Sequence, residues 1–214
     1  MAVDNIGALV MLTKLPFVGE VKTRLAKNIG SALAADLSWA MAMDTIAIMT
    51  ELQPDVCLYA ALNECPALMQ SLQTITLLNQ GCGSLGDRLY TICEKVLKKH
   101  PWVLLIGSDS PQVSREIFLQ AITNMNQGFN VLGPADDGGY YMQGLQELPH
   151  DLFVDIPWSH PETYALMLQA QQNKLSEPTY ILPVASDIDG VEDIVKLKNM
   201  KSLQHTQRVL RRIP

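Results

Sequence analysis

The sequence predicts an α/β protein built on one mainly parallel sheet flanked by helices, and three features predict it. Short apolar stretches such as WVLLI at 102–106 lack polar alternation, which means burial on both faces, as a parallel sheet requires. These stretches alternate with longer helical patterns, and strand–helix alternation implies right-handed crossovers in an open sheet. Glycine and proline are spread along the chain rather than massed in a linker, so the 214 residues are read as one domain, 1–214.

Taken in order, Gly7 to Thr13 is a buried first strand and Ser31 to Leu52 a long helix with a mostly apolar face. Asp55 to Ala61 and Thr74 to Asn79 are the next strands, followed by a helix from Leu85 to Lys99 and a strand from Trp102 to Ile106. Val113 to Asn126 is helical, Asn130 to Gly133 begins another strand, and Tyr140 to Leu145 is extended. Ser159 to Gln172 is a helix, with Ser159 and Glu162 placed as a capping box. Thr179 to Leu182 is a late strand and Val191 to Met200 a late helix, while Arg208, Arg211 and Arg212 read as a solvated basic tail. The ten methionines, several of them within residues 41–49, read as core filling.

The net charge of -6 argues against nucleic acid as a partner, because phosphate-tracking surfaces are basic. The exception is local. Lys14, Lys22, Arg24 and Lys27 crowd together with only Glu20 opposing them, and such a cluster in an acidic chain asks for an anion. Cys57, Cys65, Cys82 and Cys93 show no metal-ligand spacing and read as reduced thiols. The start lacks a secretory pattern and no segment reads as the ~20 apolar residues of a membrane span, so a cytoplasmic location is expected.

Five connectors carry the chemistry, and in open α/β sheets ligands bind beyond the carboxyl ends of the strands. After the first strand, Pro16 and Gly19 interrupt regular structure, and Lys22, Thr23 and Arg24 arrive at the start of a short helix. Arg24 offers a bidentate fork for phosphate, Lys14 and Lys22 mobile point charges. The segment does not match a Walker A loop. Next, Gly81, Gly83 and Gly86 permit close approach of backbone to a ligand, with Arg88 as a further phosphate or ribose contact. The third connector, Gly107-Ser108-Asp109-Ser110-Pro111, ends the most apolar strand; Asp109 there is either a magnesium ligand or a cap of the following helix.

Fourth, Asp136, Asp137, Gly138 and Gly139 stand between strands, where they either receive an acceptor beside Tyr140 or form a plain Asp-Gly turn. Fifth, Ser186 to Asp193 places Asp189 where it can reach the metal of Asp109, with Glu192 and Asp193 as first-turn helix charges. His150 and His160 read as surface residues, and no G-x-S-x-G elbow supports a serine hydrolase.

Together these segments resemble a bacterial family of uncharacterised glycosyltransferase-like proteins related to phospholactate guanylyltransferase. The resemblance runs from about Gly7 to Ile194 and rests on the run from Lys14 to Leu25, GSDSP at 107–111, GPADDGGYY at 133–141, IPWS at 156–159 and DID at 187–189. Gly190 and Val191 depart from it, standing where the family has Thr-Pro. The resemblance implies a GT-A fold, the three-layer, Rossmann-like architecture of nucleotide-diphospho-sugar transferases. It also implies that the loop from Lys14 to Arg24, with Ser108, holds nucleotide phosphates and that Asp109 and Asp189 hold Mg2+ or Mn2+.

The expected partners are therefore a nucleotide or nucleotide-sugar and a small-molecule acceptor, with Lys22, Arg24, Asp109 and Asp137 as the catalytic set; a homodimer is compatible with the sequence. Three activities fit. Glycosyl transfer is favoured slightly, because the GPADDGGYY loop carries no arginine for a phosphorylated acceptor. Nucleotidyl transfer from a triphosphate suits the basic loop, and an idle nucleotide-binding regulator on the same fold is the third.

Overall fold

The structure is a computed structural model and describes residues 6–53, 56–62 and 75–213. Cys65, the start Met1 to Asn5, and the first residues of two expected strands, Asp55 and Thr74, lie outside the described residues. The strands are β1 (Ala8–Leu12), β2 (Cys57–Leu62), β3 (Thr76–Asn79), β4 (Val103–Gly107), β5 (Asn130–Pro134), β6 (Tyr140–Leu145) and β7 (Thr179–Ile181). The helices are α1 (Thr23–Ile29), α2 (Ser31–Glu51), α3 (Leu85–Leu97), α4 (Arg115–Asn126), α5 (Thr163–Lys174), α6 (Asp193–Lys198) and α7 (Gln204–Leu210).

The strands form one sheet in the order β3-β2-β1-β4-β6-β5-β7. Among the described strands β6 alone runs against the rest, pairing antiparallel with β4 and β5. Strand residues alternate between two apolar layers although the sequence does not alternate in polarity. Leu9, Met11, Leu104 and Ile106 pack with Ile46 and Met49 of α2 and Phe118 and Met125 of α4. Ala8, Val10, Val103 and Leu105 pack with Leu89, Ile92 and Val96 of α3 and Met167 of α5. Both faces are thus covered, which is why the strands read as unbroken hydrophobic runs.

Helix α2 is long and apolar enough to cross a membrane by length and composition, which corrects the sequence reading that no segment is. Its apolarity has another cause, since 61% of that stretch is buried inside the protein. One side joins the sheet layer, while Leu37, Ala40 and Met41 join a third cluster with Leu25, Ile188, Leu197, Val209 and Leu210. A helix apolar all round is one buried all round.

The basic tail keeps Arg208, Arg211 and Arg212 exposed, as expected, and is in part α7, docked on α2. The Asp44 carboxylate, 4% exposed, accepts from the His205 and Thr206 backbone N–H groups at 2.9 and 2.8 Å. Arg212 pairs with Asp36 at 2.8 Å. A second correction concerns α5, which begins at Thr163 with no side-chain cap. His160 precedes Pro161, and the proline ring disfavours helical backbone at the residue before it. Ser159 is held left-handed at φ 58°, so the expected Ser159–Glu162 capping box does not form. A true capping box opens α3, between Ser84 and Asp87.

Candidate functional site

All five connectors reach the same edge of the sheet, because β1, β3, β4, β5 and β7 are parallel and end there while β6 begins there. Beyond β7 the chain keeps pairing with the β5 extension: Ala185 donates to Pro134 O at 3.0 Å and Asp136 donates to Ala185 O at 2.9 Å. The chain then crosses the sheet edge towards β4, where the Ile188 N–H donates to Asp109 O at 3.1 Å. Asp187, Ile188 and Asp189 are thereby laid against the ends of β1 and β4. The following turn is held by Asp193, whose Oδ2 accepts from the N–H groups of Asp189 and Gly190.

At the centre lies Lys22. Its Nζ is 2.9 Å from Asp109 Oδ1 and 3.0 Å from Asp189 Oδ1, and it donates to Ile188 O at 2.5 Å. The Lys22 side chain is 4% exposed, whereas each aspartate side chain is about half exposed. Burial opposes its charge, but the two carboxylates outweigh burial and hold the lysine pKa above its ordinary value. Its backbone is left-handed (φ 46°, ψ 45°), a conformation costing a non-glycine residue roughly 1–2 kcal/mol, which these contacts offset.

Asp187 stands beside this group. Ser110 Oγ donates to Asp187 Oδ1 at 2.5 Å. Burial, reinforced by the nearby Asp109 and Asp137 charges, pushes its carboxyl up to about 6, against the lowering effect of Ser110. Asp109 is no helix cap, because α4 starts at Arg115 behind Ser114.

Two clefts meet at Asp109 and Asp189. The first, about 560 Å³, is lined by Lys14, Lys22, Thr23, Arg24, Arg88 and Ser108, among others. The Lys14 and Arg24 side chains are exposed and have no hydrogen bond or ion pair among the described residues. Arg88 is oriented by Gln80: its NH1 donates to Gln80 Oε1 at 3.0 Å. Gln80 is in turn fixed by donating to Thr13 O and Ala61 O, which ties the ends of β1, β2 and β3 together. The second cleft, about 530 Å³, is lined by Asp137, Gly139, Tyr140, Tyr141, Trp158, His160 and Asp187. Arg24, Trp158, Asp109 and Asp189 border both.

Several expected site residues do other work. Pro16 and Gly19 line neither cleft; they shape the loop, with Gly19 at φ 91° in the turn where Glu20 N donates to Phe17 O. The backbone N–H of Gly81 donates to Asn79 Oδ1, Gly83 makes room for the Asp87 carboxylate of the capping box, and Gly86 lets α3 pack under Phe153 and Trp158. None of the three lines either cleft. Asp136 turns away to accept from Ser186 Oγ. Gly138 serves packing rather than an acceptor: at φ 89°, a Cβ there would lie 2.1 Å from Pro161 O. The Asp-Gly turn is real, with Gly139 N donating to Asp137 Oδ1 at 2.8 Å, yet Asp137 and Gly139 still line the second cleft.

Sequence reasoning missed Asp187, Gln80, Trp158 and His160. Asp187 sat inside the quoted DID pattern, but spacing could not say which of its acids turns inward. Trp158 stands out only as part of IPWS, and His160 is exposed, as expected of a surface residue, and borders the second cleft as well.

Among the described residues, no group of three or more His, Cys, Asp or Glu side chains could hold a metal ion. The Asp109 and Asp189 carboxylates nonetheless converge on one cation, the Lys22 ammonium, with hard oxygen donors. Oxygen donors of that kind would suit magnesium or manganese, with phosphate and water needed for the remaining positions.

The sheet of the described residues, with β6 reversed, shares the fold of a solved structure described as a nucleotide-diphospho-sugar transferase. The chain belongs to the family described as "Uncharacterized protein conserved in bacteria (DUF2064)", whose profile matches residues 42–160, more than half of its length. No curated protein sequence matches it. Among solved structures, the "putative nucleotide-diphospho-sugar transferase" from Desulfovibrio desulfuricans G20 is similar at TM-score 0.82 and 21% identity, covering 98% of both chains. Rv0371c from Mycobacterium tuberculosis H37Rv is similar at TM-score 0.55 and 16% identity, covering 90% of this chain and 97% of that one. The 4-diphosphocytidyl-2C-methyl-D-erythritol synthase from Anaerococcus prevotii DSM 20548 matches at TM-score 0.56 and 11% identity, over 95% and 97% of the two chains. The likeness is one of fold.

Proposed function

We propose that this protein is a metal-dependent transferase acting at the phosphates of a nucleotide or nucleotide-sugar. The observation that carries this reading is the meeting of two clefts at Asp109 and Asp189, one basic and one acidic and aromatic. Lys14, Arg24 and Arg88 would grip the phosphates in the first cleft with charge-assisted hydrogen bonds. Asp109 and Asp189 would hold a divalent cation, whose contribution when bound is to neutralise charge developing on the phosphate oxygens. Asp137 and Asp187 line the second cleft, where an acceptor hydroxyl would lie beside the packed Tyr140 and Trp158 rings.

The acceptor side favours glycosyl transfer from a nucleotide-diphospho-sugar. Four aspartates line the second cleft, and Arg24 and His160 are its only basic side chains among the described residues, an unfavourable setting for a phosphorylated acceptor. One observation supports nucleotidyl transfer instead: three arginine or lysine side chains besides Lys22 surround the first cleft, enough for a triphosphate. The deciding experiment is a thermal-shift panel of nucleoside triphosphates and nucleotide-sugars with and without Mg2+. Stabilisation by nucleotide-sugars only in the presence of metal supports glycosyl transfer, and a preference for a triphosphate supports nucleotidyl transfer. No response to any of them would defeat both.

A further inference from the structure

The basic cluster of the first connector is divided. Lys14 and Arg24 point into the first cleft without partners among the described residues, whereas Lys22 is turned onto acids. An ammonium has three N–H donors, and those of Lys22 face Asp109 Oδ1, Asp189 Oδ1 and Ile188 O. Lys22 is therefore fully engaged by the two carboxylates that a divalent cation would need.

We propose that Lys22 is an exchangeable counter-ion: its ammonium holds Asp109 and Asp189 together in the metal-free chain, and an entering divalent cation displaces it toward the phosphates in the first cleft. The proposal rests on the transferase reading only for the presence of metal and phosphate. Without a cation the two carboxylates would repel each other, so the lysine keeps the site assembled. A divalent ion has twice the charge and approaches oxygen more closely, at about 2.0–2.1 Å, but must first evict the ammonium. The flexible four-carbon stem of lysine allows that movement, and Lys22 already borders the first cleft. Metal alone should thus bind weakly. Phosphate in the cleft gives the released ammonium a new partner, so metal and nucleotide should each strengthen binding of the other by the same factor.

The test uses Mn2+ alone, titrated by calorimetry or by electron paramagnetic resonance into the wild-type chain and Lys22→Met. Removing the competing ammonium should tighten Mn2+ binding roughly tenfold or more, as expected when a like charge leaves a short-range site. Equal or weaker binding by the variant overturns the exchange. A wild-type measurement guards against a variant that does not fold: reductive methylation read by mass spectrometry. Lys22, shielded in the metal-free chain, should label several-fold faster in saturating Mg2+, and unchanged labelling overturns the proposal. The two readings fail separately. Metal-dependent nucleotide binding with no change at Lys22 defeats the exchange alone, whereas release of Lys22 by metal with no nucleotide or nucleotide-sugar bound defeats the transferase alone.

Discussion

Ser110 Oγ donates a 2.5 Å hydrogen bond to Asp187 Oδ1, joining the loop after β4 to the segment that follows β7. Burial is the main cause holding the Asp187 carboxyl near 6, above its ordinary 3.8. A carboxyl raised by folding takes up a proton more readily in the folded chain. Its contribution to stability is complete below 3.8 and is lost as pH rises through about 6. Asp187→Asn should therefore flatten the pH dependence of the melting temperature between pH 4 and 7 in metal-free buffer, relieving a penalty of about 2–3 kcal/mol at neutral pH. An unchanged pH profile in the variant would show that Asp187 does not titrate there.

Arg24 borders both clefts and has no partner of its own among the described residues. Arg24→Ala should weaken nucleotide binding by about 1.5–3 kcal/mol, the worth of a charge-assisted hydrogen bond. Lys27→Ala removes an exposed charge of the same helix that lines neither cleft, and should leave binding nearly unchanged. Calorimetric titration of the two variants side by side checks both. Equal losses would point to long-range attraction rather than contact.

Asp109→Asn should abolish metal-dependent stabilisation by nucleotide while leaving the fold intact. The amide is a poor ligand for a hard cation but still accepts a hydrogen bond from Lys22. Helix α4 does not depend on Asp109, since it starts at Arg115. Thermal shifts with and without Mg2+ decide the matter. Full metal-dependent binding in the variant would remove Asp109 from the metal site.

Asp44→Ala strips α7 of the carboxylate that satisfies two of its first N–H groups. Those donors would be left without their charged partner against a helix interior, so the chain should lose about 1.5–3 kcal/mol of stability. Chemical denaturation gives the value directly. A loss below about 0.5 kcal/mol, ordinary for surface substitutions, would mean that α7 contributes little to the folded state.

The order of strands and helices from Ala8 to Ile181 was legible in the sequence, because the central strands β1 and β4 are apolar on both faces and the connectors are marked by glycine, proline or paired charges. The sequence also indicated that the connectors carrying Asp109 and Asp189 share one edge, since parallel strands present their carboxyl ends together. Tertiary structure alone decided what those carboxylates meet. Lys22 reads in sequence as one more cation of a phosphate loop, but the path of the chain across the sheet edge at 185–189 brings two acids and a carbonyl to its ammonium. The same holds for Asp44, an acid on an apolar helix whose meaning lies in a helix 161 positions away. Local pattern fixes elements because propensity and periodicity act over neighbouring residues. The partner of a buried charge is chosen by contacts distant in sequence, and those exist only once the chain has folded.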